Sequence, residues 1–590
     1  MRQFLRKRVP TPIYGLLLWM ILGAVLRFAE IQSKPPWSDE WATLVYSLGN
    51  SFSQVPLDQL LTLDSLLEPL QLNPERSPAD TLHFLLRDST HPPVYFLLSH
   101  LWIQLFSPQA GLVSPAVARC LSAIFGILAI PLGFFLGQRF GQSKTTAQIT
   151  AALIAVSPFG IYLSQEARHY TLAILWVMLS LGLLVDAIRS LEKNESLSWA
   201  KVGLWIGVNS VGFATHYFFG ITLLAEALVI LKWTLPDLGE GFNLRGFSEK
   251  YPNRRSPIFR IYLAFLGTFV GCVVWLPILV SLPDSRLTSW IYQDYSWLQL
   301  FQPLIQLILW HLSMVFLLPV EGTVPWIMVI SIIATVVITI GLCLGSIQGW
   351  KLARQLPEIQ LNLRVLTEFW LVCLGLLLGI TYLTGADLTI AARFQFVYFP
   401  VVLFVLGILL TILWQHKTEN SNRLKSLKIP GKTVVLLTLL VGFLGGLTVI
   451  SDLGFRKFER SDQVAADILA TYNQGQLPSE ILIATVHKTN GQTAEAIGLA
   501  WQLHQLQLRT EKLNAEPLKV DFLLAHKAKA GIEATEKLDR ILTEYPRPLD
   551  LWLVNFSAPI AVETQNCKAD SEGKRKAAGY RYYRYQCLNL

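Results

Sequence analysis

Asp39 and Glu40 stand side by side in Lys34-Pro35-Pro36-Trp37-Ser38-Asp39-Glu40-Trp41, just past the first apolar run of the chain. Two carboxylates at the mouth of an apolar bundle are costly to desolvate, and an enzyme acting there would want one as a general base. The plain alternative is a wet, acidic loop. Further along, His91 precedes Pro92 and Pro93, which stop any helix and hold the imidazole where the next segment begins. Ser164-Gln165-Glu166-Ala167-Arg168-His169-Tyr170 places Glu166, Arg168, His169 and Tyr170 between two apolar runs, more hydrogen-bonding groups than a simple hairpin needs. A helical turn there would put Glu166 and Tyr170 on one face and turn Arg168 and His169 away; a cap held by its own ion pair is the structural reading. His216 and Tyr217 sit in a tight turn and read either as sugar or phosphate contacts or as an interfacial aromatic belt. Arg393 opens a late apolar run; a guanidinium there suits a phosphate, and equally suits snorkelling to headgroups.

What must position these groups is a set of membrane helices. Of the 590 residues, 52% are hydrophobic and only 15% charged, which excludes a soluble globular chain. Runs long enough to cross roughly 30 Å of hydrocarbon fall at 13–29, 115–138, 146–163, 169–188, 199–215, 217–233, 260–282, 325–347, 366–384, 391–414 and 433–451. Segments 93–106 and 298–320 are ambiguous. The basic stretches, from Arg2 to Arg8 at the start and in the loops near Lys144, Lys193, Arg254, Lys351 and Lys417, share one side if neither ambiguous segment crosses. Both are therefore expected to lie at the outer surface. The N-terminus is then cytoplasmic, the first run an uncleaved span, and the C-terminus extracytoplasmic. The net charge of +8 is the sum of cytoplasmic anchors and gives no reason to expect nucleic acid. The outer face receives the loop from 30 to 92, with an expected amphipathic helix over Val55–Leu72, and the loop 283–298, where Asp284, Arg286, Trp290, Tyr292, Asp294 and Trp297 mix charge with aromatic rings.

Beyond residue 451 the chain turns polar and mixed. Apolar runs at Ile481–Val486, Val520–Leu524 and Leu551–Phe556 alternate with helical stretches at Ala494–Leu506 and Ile532–Leu542, the pattern of a small α/β domain over 452–590. Cys567 and Cys587 are its two cysteines, and an outward compartment would permit a disulfide between them.

The Asp-Glu pair after the first span, the His-Pro-Pro-x-Tyr return, Arg119 near the start of the next span, the Ser-Gln-Glu-Ala-Arg-x-Tyr turn and the His-Tyr-Phe turn together resemble the GT-C membrane glycosyltransferases. Within them the chain is most similar to the branch of the protein O-mannosyltransferases and the lipid A aminoarabinose transferase, glycosyltransferase family 39-like, over residues 1–450. Taken with the apolar runs and the mixed C-terminal pattern, the resemblance makes the chain an α-helical polytopic membrane protein of the GT-C type, the runs giving about 11 to 13 transmembrane helices and the pattern a C-terminal α/β extracytoplasmic domain. Residues 1–451, with the outer loop, would be its catalytic part. It also implies transfer of a sugar, with inversion, from a polyprenyl-phosphate donor to an acceptor lipid, glycan or protein at the plasma (inner) membrane. By carry-over Asp39 is the base and Glu40 its neighbour. Arg393 would meet the donor phosphate, and Arg168, His91, Glu166, His169, Tyr170, His216 and Tyr217 are further substrate contacts. That branch has lysine where this chain has His91, so its sugar preference is not carried over. A divalent metal is left open, with His91 and His216 as its ligands. The rival from another class is a transporter or flippase of lipid-linked sugars, which needs charges near mid-membrane; Glu226 is the main such residue. A scaffold without catalysis is the third reading.

Overall fold

The computed structural model describes residues 12–108, 111–235, 255–281, 289–293, 295–296, 299–415, 430–474, 480–511, 518–527, 532–560, 562–570 and 573–588. Asp284, Arg286, Asp294 and Trp297 lie outside them. The chain divides into two compact units. The first holds Met1–Ile31, Cys120–Gln165 and His169–Arg456; the second holds Gln32–Arg119, Glu166–Arg168 and Lys457–Leu590.

The first unit is helical; the apolar runs of the sequence form helices, with 146–163 and 260–282 each broken into two and 391–414 opening in a 3-10 turn. Five of the described helices are long and apolar enough to cross a membrane: Pro115–Gly141, Tyr170–Glu192, Pro325–Ala353, Pro357–Thr384 and Gly431–Ile450. A sixth is added if Lys144–Val156 and Pro158–Ser164, bent by 55°, form one span. The bend has a covalent cause, since Pro158 has no N–H for the carbonyl of Ile154. Arg27, buried at the end of the Pro12–Phe28 helix, donates to that carbonyl at 2.9 Å, to that of Ala155 at 3.0 Å and to Ser164 Oγ at 3.2 Å. Segment 298–320, expected at the surface, contains the 14-residue helix Gln302–Val315.

Burial sorts these helices. Every residue from Phe399 to Leu413 is buried, so Phe399–Gln415 is enclosed by its neighbours, whereas the apolar window of Pro325–Ala353 is only 6% buried. Close approach relies on small residues: a Cβ on Gly407 would fall 2.4 Å from Thr150 Oγ1.

The second unit is built on a seven-stranded sheet. Its strands are β1 (Leu60–Thr62), β2 (Glu480–His487), β3 (Val520–His526), β4 (Leu549–Val554), β5 (Cys567–Ala569), β6 (Arg575–Ala577) and β7 (Tyr580–Cys587), in the order β1-β3-β2-β4-β7-β5, with β6 on β7. β2, β3 and β4 are parallel, and helices Asn490–Glu511 and Ile532–Glu544 make the crossovers. A disulfide joins Cys567 to Cys587 where β5 meets β7.

One expectation is corrected here. The helix expected over Val55–Leu72 is broken into β1, the short helix Leu63–Leu67 and 3-10 turns at Phe52–Gln54 and Glu68–Leu70. Pro56 and Pro69 interrupt it, and Leu61 is buried where it pairs with Phe522 of β3. By contacts, 32–119 groups with the C-terminal segment, whose sheet β1 joins. Helix Val94–Phe106 belongs to the same unit; Tyr95, Phe96, Ser99, His100 and Ile103 are buried and Leu98, Leu101 and Leu105 exposed.

Candidate functional site

Pro35 and Pro36 bring the chain extended into Trp37, and Ser38–Ser47 then forms a helix with Asp39 and Glu40 in its first turn. Acidic side chains are favourable there because the first N–H groups point outward. Glu459 adds to this: one of its oxygens accepts the Ser38 N–H and the other the Ser38 hydroxyl, both at 2.7 Å. The helix N-terminus is thus fixed by a carboxylate from the C-terminal segment. Trp41 anchors the helix against Asn490–Glu511, with its ring 5.7 Å from Trp501 and its indole N 2.8 Å from where a Cβ on Gly498 would lie.

Successive residues of a helix point about 100° apart, and the two carboxylates meet different surroundings. Glu40 is fully buried. Arg119 donates from Nε to Oε1 at 2.7 Å and from Nη2 to Oε2 at 2.8 Å, the Ala167 N–H adds 2.9 Å, and Lys457 Nζ lies 3.1 Å away. Burial alone would raise the Glu40 carboxyl, but the Arg119 and Lys457 charges and these hydrogen bonds hold it well below the usual carboxylate range. Lys457 also donates to Glu166 Oε1 at 2.5 Å. These four residues form a buried charge network in which Glu40 has no room to take a proton from a substrate.

Asp39 is different. Its side chain is 31% exposed, and the nearest cation, Arg168 Nη2, is 3.5 Å from Oδ2. Arg168 is buried and holds the backbone instead: Nη1 donates to Asp39 O at 3.0 Å and to Thr43 Oγ1 at 3.1 Å. Its Nη2 is 2.8 Å from His91 Nε2. A guanidinium only donates, so Nε2 is the acceptor and the ring proton is on Nδ1, facing Ser89 Oγ at 2.9 Å. Asp39, His91 and Arg168 therefore form one cluster, and Glu40, Arg119, Glu166 and Lys457 form the network behind it.

The turn over 165–169 is not helical. The expected Glu166–Tyr170 face is thereby overturned, as is the local ion pair. Glu166 faces Lys457, the Ala167 N–H is taken by Glu40, and Arg168 is taken by Asp39 and His91, so the backbone hydrogen bonds of a helix are replaced by partners from 34–119 and 457.

The remaining expected residues are in the first unit. His169 and His216 stack edge to face with ring centres 4.4 Å apart; His216 also lies 4.7 Å from Phe396, and Tyr170 lies 5.6 Å from His216. His216 Nδ1 accepts the Phe218 N–H at 3.1 Å. Tyr217 turns elsewhere, its ring against Phe213 and Trp275. Arg393 sits in the 3-10 turn Ala392–Val397, its guanidinium 5.2 Å from the Trp290 ring and 5.3 Å from that of Phe394. Among the described residues no three His, Cys, Asp or Glu side chains gather as a set that could hold a metal ion. Lys457 and Glu459 were missed by sequence reasoning: each is a single charge in a polar stretch, and only their burial marks them.

No protein-family model matches the chain, and no curated protein matches it. Among solved structures the chain is similar to ArnT from Cupriavidus metallidurans in the apo state, at 13% identity, 97% of this chain, 98% of that chain and a TM-score of 0.47. The same protein bound to undecaprenyl phosphate gives 11% identity, 97% of each chain and 0.45. The Archaeoglobus fulgidus oligosaccharyltransferase in the apo form gives 12% identity, 93% of this chain, 70% of that chain and 0.45.

Proposed function

We propose that the chain is an inverting GT-C-type glycosyltransferase that moves a sugar from a polyprenyl-phosphate carrier to an acceptor lipid, glycan or protein on the outer face of the plasma (inner) membrane. The observation that carries this reading is the division of labour in the Asp-Glu pair: Glu40 is locked by Arg119, while Asp39 keeps an accessible carboxylate on a helix fixed at both ends of its first turn. The motif order along the sequence supports the same assignment. The Cys567–Cys587 disulfide supports an oxidising, extracytoplasmic setting for the second unit, with the N-terminus inside.

In this reaction Asp39 takes the proton of the acceptor hydroxyl as its oxygen attacks the anomeric carbon from the face opposite the carrier. The bond from that carbon to the phosphate oxygen breaks, and the carrier phosphate leaves with the electron pair. Arg393 is assigned to the developing phosphate charge, and Trp290 and Phe394 hold its guanidinium plane. Arg168 and His91 are positioning residues for Asp39.

The test uses membranes carrying the wild-type chain or Asp39→Asn, supplied with radiolabelled polyprenyl-phosphate sugars. Transfer is expected to fall by about two to four orders of magnitude in a normally folded variant. Unchanged transfer would refute Asp39 as base. Movement of intact carrier across the membrane with no transfer by the wild type would favour the flippase.

A further inference from the structure

The α/β sheet of the second unit reverses its winding at β2. The chain leaves β2 through one helix to β3 on one side, then returns past it through another helix to β4 on the other side. The outgoing loops at the carboxyl ends of β2 and β4 therefore diverge, and such a switch point leaves a crevice where open α/β sheets bind ligands. Here the crevice is a cavity of about 650 Å³, within the size range of small-ligand sites. Its walls are the segment after β2, the segment after β4 and the β6–β7 hairpin.

Four cations line it: Lys488, Lys574, Lys576 and Arg581. All four are exposed, and none lies within ion-pair distance of a carboxylate among the described residues. Glu495 is the acidic residue in the lining, and it is tied up, accepting from Asn555 Nδ2 at 2.9 Å. Burial pushes its carboxyl up, against the Asn555 hydrogen bond, which weakens it as a counter-charge. Four like charges around one concavity repel each other unless an anion enters. The lining also offers the rings of Phe556 and Tyr583, with Lys574 Nζ 5.9 Å from the Tyr583 ring centre. Apolar ring faces beside hydrogen-bonding groups suit a sugar ring better than a bare ion.

We propose that this cavity is a binding site for a sugar bearing a phosphate or carboxylate, and that it recognises the anionic glycan portion of the acceptor. The second clause rests on the glycosyltransferase reading; the first does not. One residue of the lining, Gly579, also abuts the segment that holds the Ser38–Ser47 helix. Gly579, at φ +77° in the β6–β7 turn, leaves space for the chain at 458–459: a Cβ there would fall 2.7 Å from Phe458 O and 3.1 Å from Glu459 Cα. Glu459 in turn holds Ser38. The β6–β7 turn that lines the cavity thus packs directly on the residue that fixes the Ser38–Ser47 helix.

Saturation-transfer NMR on the full-length chain in detergent tests this, with glucose 6-phosphate, glucuronate and glucose observed directly and inorganic phosphate, which has no C–H proton, read by its displacement of their signals. The two anionic sugars are expected to bind, to lose about tenfold in affinity in Lys488→Ala/Lys576→Ala and to be displaced by salt. Both lysines are exposed, and an unchanged melting temperature shows that the variant is folded. Equal binding of inorganic phosphate would overturn the sugar part of the proposal. Absence of binding, or binding untouched by the variant, would overturn all of it. In transfer assays the same variant should raise KM for an anionic acceptor and leave kcat in place. If the sugars bind while Asp39→Asn still transfers normally, the cavity stands and the assignment of Asp39 fails.

Discussion

Arg119 grips both oxygens of Glu40, at 2.7 and 2.8 Å, with both side chains excluded from solvent. A planar, permanently charged donor matched to a carboxylate is the geometry in which a buried pair recovers the cost of its desolvation. The pair ties residue 40 to residue 119, and Lys457 extends it to the C-terminal segment, so one of two adjacent carboxylates is locked inside the unit while the other stays partly exposed.

Removing one partner strands the other's charge. Arg119→Ala is expected to destabilise the second unit by about 3–5 kcal/mol, and Arg119→Lys to recover only part of that. Thermal unfolding of the detergent-solubilised chain checks it. Because the Glu40 carboxyl is held low in the folded state, its contribution is complete above its ordinary value of 4.5 and is lost as pH falls toward about 2. Glu40→Gln should flatten that acid limb.

Glu459 has the opposite sign. Burial pushes its carboxyl up to about 7; the charges of Glu495 and Asp39 add to this and the Ser38 hydrogen bonds oppose it. Between pH 4.5 and 7 the folded chain keeps a proton that the unfolded chain has released, so stability falls across that window, by about 3 kcal/mol, and is level above it. Glu459→Gln should remove this slope in melts recorded from pH 5 to 8.

Arg168 touches Asp39 O, Thr43 and His91 together, which lysine cannot do. Arg168→Lys is expected to lower kcat about tenfold, with KM for the carrier little changed. His91→Gln, which keeps an acceptor for the guanidinium, should retain more activity than His91→Ala. Equal loss in both variants would refute positioning through that hydrogen bond.

The Arg393 guanidinium lies 5.2 Å from the Trp290 ring centre and 5.3 Å from that of Phe394. Arg393→Ala is expected to raise KM for the polyprenyl-phosphate donor about tenfold, with Arg393→Lys intermediate. Titration with carriers of equal chain length reads it out, and an unchanged KM would return Arg393 to headgroup snorkelling.

The helices of the first unit and the three parallel strands of the second were legible in the chain because their signals are local. An apolar run long enough to cross hydrocarbon specifies a helix whatever surrounds it, and Ile481–Val486 reads as a buried strand from its own composition. The position of the acidic pair was equally plain. What each carboxylate does was not: Glu40 and Asp39 are neighbours of one charge type, separated only by the direction each takes from the Ser38–Ser47 helix. The partner that locks the Glu40 carboxylate lies 79 residues away, and Lys457 lies 417 residues away. Neither spacing leaves a period in the sequence. The turn over 165–169 and strand β1 failed for the same reason, since hydrogen bonds to distant segments outweighed the helical preference of a short stretch. Side-chain identity determined which groups were present and on which local elements; long-range pairing in a low-dielectric interior decided which of them remain open to a substrate.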